Sequence, residues 1–180
     1  ILTIRSEDVN DMMNNPNHEA RMAGSVNAPG LSKDPMSAVE GVFNLFVEDP
    51  DNVDTKLMKY GMKMLTDEGK EYYFEGHKII RRHSVFNMWG DTSTLYISIY
   101  EGKNSSGKII GQGILNIKPA DFIKQITTIK AVNAENIGEA IKAESAFSAY
   151  FSKTLFYEYG GIFSPDEYYD KSKQRARRTL

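Results

Sequence analysis

The stretch "KLMKYGMKML", residues 56–65, alternates with a period of two. Met58, Tyr60, Met62 and Met64 point one way, and Lys59, Gly61 and Lys63 the other, as a strand with one buried face requires. Only "TDEGK", 66–70, separates it from the next alternating run. A link that short makes the two strands antiparallel, because a parallel return needs a crossover of a dozen or more residues. The pattern recurs. Strands are expected at 1–5, 19–27, 38–48, 55–66, 70–82, 92–101 and 108–118. "GKNSSG", 102–107, reads as a second tight hairpin; "NAPGLSKDP", 27–35, and "EDPDNVD", 48–54, read as longer loops.

A meander of this length has two edges to protect, and closing into a barrel removes them. The expected fold is mainly β with C-terminal α: about six to eight antiparallel strands, closed or nearly closed into a small barrel of lipocalin-like or allene-oxide-cyclase-like kind, with helices packed outside. A flat sheet covered by helices on one face is the alternative.

The helices are few. Residues 6–15 form a short one, with Ser6 as its cap and Val9, Met12 and Met13 as its apolar stripe, before Pro16 ends it. Pro119 opens a second, about 119–130, with Phe122, Ile123, Ile126 and Ile129 on one side. A third covers about 134–158 with Ile137, Ile141, Phe147, Phe151 and Leu155, until Gly160 and Gly161 stop it. One domain, 1–165, is followed by a polar, basic tail, 166–180.

With 180 residues the chain buries roughly 70% of its unfolded surface, enough to fold without a staple. It has no cysteine, which removes disulfides, thiolate metal sites and thiol nucleophiles together. A net charge of −2 argues against nucleic acid as a partner. No apolar run reaches the length of a transmembrane helix, and a cytoplasmic location is favoured. The first residue is Ile1, and the chain is read as part of something longer.

Two constellations carry chemistry. Phe43, Leu45, Met58, Tyr60, Met62, Tyr72, Phe74 and Trp89 are candidates to line an apolar pocket for a hydrophobic ligand; a filled core is the competing reading. Glu75, His77 and Asp91 are a candidate polar cluster, from which a metal site with His83 could be drawn, against ordinary polar exposure on a strand. Ser93 with Asp91 lacks the nucleophile elbow of a hydrolase. "GQGILN", 111–116, begins like a dinucleotide fingerprint, but Asn116 replaces the third glycine and the segment continues as a strand. Gly111 and Gly113 are therefore read as close-packing or bend positions. In "FNMWGDTSTLYISIYEG", Asp91 and Thr92 fix a strand start, and Trp89 plugs apolar space.

Six stretches carry a family resemblance: "LTIRSEDVNDMMNNPNHEARMAGSV", "GVFNLFVED", "YYFEGHKIIRR", "FNMWGDTSTLYISIYEG", "GQGILNIKPADFIKQITTIKAVNA" and "FSKTLFYEYGGIFSP". In this order they resemble a segment of large bacterial proteins of the glucose–methanol–choline oxidoreductase family, in its cholesterol-oxidase-like branch. In those proteins a flavin part precedes the segment and, in some, an α/β-hydrolase part follows it. The flavin fingerprint and the catalytic histidine region belong to the flavin part, so the resemblance carries no catalytic residue here. It implies FAD only in a neighbouring domain, and flavin oxidoreductase and hydrolase domains as partners. The expected function is a non-catalytic accessory module of a sterol- or lipid-oxidising system. The alternatives are a stand-alone barrel that binds, cyclises or isomerises a lipid, and a structural unit that builds homo-oligomers.

Overall fold

The computed structural model describes residues 1–81 and 93–159. Seven strands form one sheet: β1 (Leu2–Arg5), β2 (Glu19–Val26), β3 (Met36–Glu48), β4 (Thr55–Leu65), β5 (Glu71–Arg81), β6 (Thr94–Glu101) and β7 (Ile109–Asn116). Their spatial order is their sequence order, and every neighbouring pair is antiparallel. The sheet is not closed; β1 and β7 are its edges. Helix α1 (Val9–Asn14) joins β1 to β2, and α2 (Pro119–Ile126) and α3 (Ile137–Tyr159) follow β7. Among the described residues no helix is long and apolar enough to cross a membrane.

The alternation in "KLMKYGMKML" decides which face is buried. Met58, Met62 and Met64 are at most 6% exposed, whereas Lys59 stands in solvent. Eleven consecutive pairs, from Thr55↔Arg81 to Leu65↔Glu71, hold β4 on β5 without a register shift. The turn between them closes where Gly69 takes φ +81°, a conformation that side chains with a Cβ rarely adopt. The Gly69 amide donates to Thr66 O, and the Thr66 hydroxyl accepts from the Lys70 amide.

Strand β3 is less regular. Its register shifts twice, between Val39 and Val42 and between Asn44 and Val47. Glu40 (φ 48°) and Phe46 (φ 54°) take left-handed conformations at these bulges. The second bulge turns both Leu45 and Phe46 inward, and Phe46 is fully buried.

Two clusters fill the apolar face. Met12, Ala20, Phe43, Leu45, Phe46, Met58 and Ile80 form one, and α3 lays Phe147, Tyr150 and Phe151 on it. Met22, Met36, Ala38, Met62, Met64, Tyr72 and Phe74 form the other. The loop between β2 and β3 folds over this second cluster through Ala28 and Leu31, and the Tyr72 hydroxyl donates to Leu31 O at 3.4 Å. Tyr60 touches both clusters.

Several helix details differ from expectation. Asp8, not Ser6, caps α1: its carboxylate accepts from the amides of Asn10 and Asp11. Ser6 donates to Asp8 O instead, because the residue directly before the helix is the one whose side chain reaches the free amides. Helix α3 starts at Ile137 rather than at about 134. Asn136 accepts from the Glu139 amide, and Glu139 reaches back to the Glu135 amide, a reciprocal arrangement that fixes this start. Ile137 and Ile141 are exposed, so the first turns of α3 stand clear of the sheet, and Phe147, Tyr150 and Phe151 reach it. Leu155, Gly160, Gly161 and the basic tail lie outside the residues whose side chains are described.

Candidate functional site

The apolar-pocket candidates share one face. Phe43, Leu45, Met58, Tyr60, Met62, Tyr72 and Phe74 all belong to the two clusters, and Trp89 lies outside the described residues. Their side chains pack on one another; the Phe43 and Tyr60 rings lie 4.9 Å apart at 49°. Burial alone pushes the Tyr60 phenol far above its ordinary range.

One member of this face escaped the sequence reading. Tyr72, Phe74, Gly76, Lys78 and Ile80 alternate along β5, and all five are buried. Lys78 is 5% exposed and pairs with Met58 on β4. Loss of hydration pulls its ammonium down to about 8, from an ordinary 10.5. The period-two count from Tyr72 carries this signal; a lysine in "GHKIIRR" reads as surface only while its neighbours are left uncounted.

The polar candidates occupy the opposite face. Glu75 and His77 alternate with Phe74, Gly76 and Lys78, so β5 turns them away from the methionines. They do not approach the apolar interior, as an enzyme built around that interior would need. Asp91 and His83 lie outside the described residues. Glu75 accepts from the Tyr100 hydroxyl at 2.9 Å, and that bond raises the Tyr100 phenol above its ordinary value. His77 stacks on Tyr96, with centroids 5.6 Å apart at 25°. Among the described residues no three His, Asp or Glu side chains gather as a metal would require. The third histidine, His18, sits elsewhere: its Nδ1 lies 2.9 Å from Met12 O and 3.3 Å from the Tyr150 hydroxyl, tying α1 to α3.

Glu75 and His77 instead line an open groove of about 500 Å³ on this outer face. Its floor follows from register. Val42, Gly61 and Glu75 lie side by side across β3, β4 and β5, and Gly61 contributes no side chain. A Cβ there would stand 2.6 Å from the Tyr73 hydroxyl, so the phenol leans over the glycine. Burial, then the nearby Glu75 charge, raises the Tyr73 phenol. The β3–β4 loop closes one end with Asp49, Asp51 and Asn52. The Asp49 carboxylate accepts from the Asp51 amide and the Asn52 side chain, both at 2.9 Å, and these bonds hold it below the usual carboxylate range.

The remaining sequence candidates resolve as structure. Gly111 and Gly113 lie within β7, whose strand continues to Asn116, so no helix start is offered there to the pyrophosphate of a dinucleotide. They are not close-packed either: a Cβ at each would meet only Ile99 or Ile97, no nearer than 3.8 Å. Ser93 is buried, and its carbonyl accepts from the Ile117 amide. Asn104 accepts from the Ser106 amide inside the β6–β7 hairpin. No family model matches this chain, and neither a curated protein nor a solved structure matches it.

Proposed function

We propose that this chain is a non-catalytic accessory module of a flavin oxidoreductase system acting on sterol- or lipid-like alcohols, and that it docks to its partner through the β7 side. One observation carries the docking reading. Ile109, Ile110, Ile114 and Leu115 on β7 are 40–58% exposed, and Ile123 on the neighbouring segment α2 is 58% exposed. Apolar residues on an open sheet edge favour association, because both the edge amides and the side chains gain by being covered. The partner's nature comes from the sequence resemblance; FAD belongs to that partner.

The test begins with the coding sequence on either side of this chain. A flavin oxidoreductase part fused or adjacent supports the reading, and that part should bind this chain and cover β7. If neither a flavin nor a hydrolase part is found there, the reading loses its basis.

A stand-alone lipid-binding protein is the second reading. Met22, Met36, Met58, Met62 and Met64 share one face, and methionine adapts readily to irregular ligands. A fluorescent sterol that binds saturably, and whose binding Met62→Ala changes, favours it over docking. No binding by sterol or fatty acid removes it.

A further inference from the structure

We propose that the outer-face groove is a binding site for a neutral, polyhydroxylated ligand, a sugar ring or short glycan. This rests on the groove alone and is independent of the docking reading.

Its volume of about 500 Å³ lies within the ordinary range for small-molecule sites. The chemistry along it is mixed in the way a sugar needs. Tyr73 and Lys59 offer donors, Glu75 offers acceptors, and the Asn44 and Asn52 amides offer both. A sugar hydroxyl donates and accepts at once, so it can satisfy neighbouring groups of both kinds. Between them, Val42, Leu57 and Ile79 provide apolar surface for the C–H face of a ring.

The groups are also held in place. His77 is stacked on Tyr96, and the Tyr73 ring lies 6.4 Å from Tyr100. Glu75 is fixed by the Tyr100 hydroxyl. The loop at the groove end is pinned by the two bonds to Asp49. Prior fixing of this kind reduces the entropy lost on binding. Charge narrows the class. Asp49, Asp51 and Glu75 face Lys59 as the one lysine of the lining, so the groove carries excess negative charge and disfavours phosphate or a sulfated glycan.

The experiment is an amide-resolved NMR titration of the isotope-labelled chain with maltotriose, diacetylchitobiose and lactose, with inorganic phosphate as the contrasting probe. At least one saccharide should shift the amides of Gly61, Tyr73, Gly76 and His77 saturably in the millimolar range, while phosphate leaves them in place. Glu75→Gln and His77→Ala change exposed side chains and spare the core. Each should weaken binding about three- to tenfold, the usual consequence of losing one hydrogen bond or contact. Gly61→Leu should abolish binding by filling the floor. Failure of all three saccharides to shift these amides overturns the proposal. So does phosphate binding in their place, or affinity that is unchanged in Glu75→Gln and His77→Ala.

Discussion

The two halves of the sheet are built from similarly apolar sequences and end in opposite states. In β2 to β5 the inward positions carry Met22, Met58, Met62, Met64, Tyr72 and Phe74, each at most 8% exposed. In β7 the inward positions opposite Ile99 and Ile97 are Gly111 and Gly113, which have no side chains to pack. Ile97 and Ile99 on β6 are therefore only partly buried, and the isoleucines of β7 lie in solvent. Apolar content alone does not bury a strand; what matters is whether the adjoining strand supplies volume on the same face. The first half has its own cover, from α3 and the β2–β3 loop. The second is an apolar margin that a partner could complete.

Mutations can break this comparison. The largest effect is expected at Met62, which is 1% exposed. Met62→Ala should cost about 2–5 kcal/mol by leaving a cavity, measured by urea unfolding. Ile114→Ala on β7, a truncation of the same number of heavy atoms at 58% exposure, should stay within about 0.5 kcal/mol. Equal losses at the two sites would erase the distinction between the halves.

Next comes Lys78, the one lysine among the buried residues of the first half. Its folded-state value of about 8 is below its ordinary 10.5, so the unfolded chain binds the extra proton between them. Stability should therefore rise as pH increases from about 8 towards 10.5, with the penalty fully present below 8. Chemical unfolding across this window should show the rise, and Lys78→Met should lack it. A wild-type profile that is flat there would place the ammonium in water.

A smaller effect of opposite sign is expected at Gly113. A Cβ there meets Ile97 at 3.8 Å, an ordinary contact, so Gly113→Ala should stabilise by about 0.4–1 kcal/mol. A loss would mean that the margin is already packed. Ile114→Lys should change stability least, within about 0.5 kcal/mol, yet weaken docking through β7. Thermal unfolding and a binding assay with the flavin part separate the two consequences.

Much of the fold was legible because strands announce themselves by period two. All seven fall within two residues of the boundaries read from the sequence. The helix ends were less so: Asp8 competes with Ser6 for the capping role, and the start at Ile137, fixed by Asn136, falls later than the expected 134, because only backbone geometry decides between such positions. The bulge at Phe46 breaks the alternation it interrupts, so two successive inward residues, Leu45 and Phe46, read as noise. The candidate site was half visible. Glu75 and His77 stood out as a pair, but the groove beneath them depends on Gly61 lying beside Glu75, a cross-strand relation set by register. Lys78 was readable by counting along β5, yet its residue type argued for the surface.

Native-state hydrogen exchange, followed amide by amide, tests the division of the sheet most directly. In the isolated chain the hydrogen-bonded amides of Met62 and Phe74 should exchange only through global unfolding, and those of Ile114 and Leu115 orders of magnitude faster. Bound to a flavin oxidoreductase part, β7 should gain protection while β4 and β5 stay as they were. Protection of β7 equal to that of β4 in the free chain would contradict the picture of an uncovered margin.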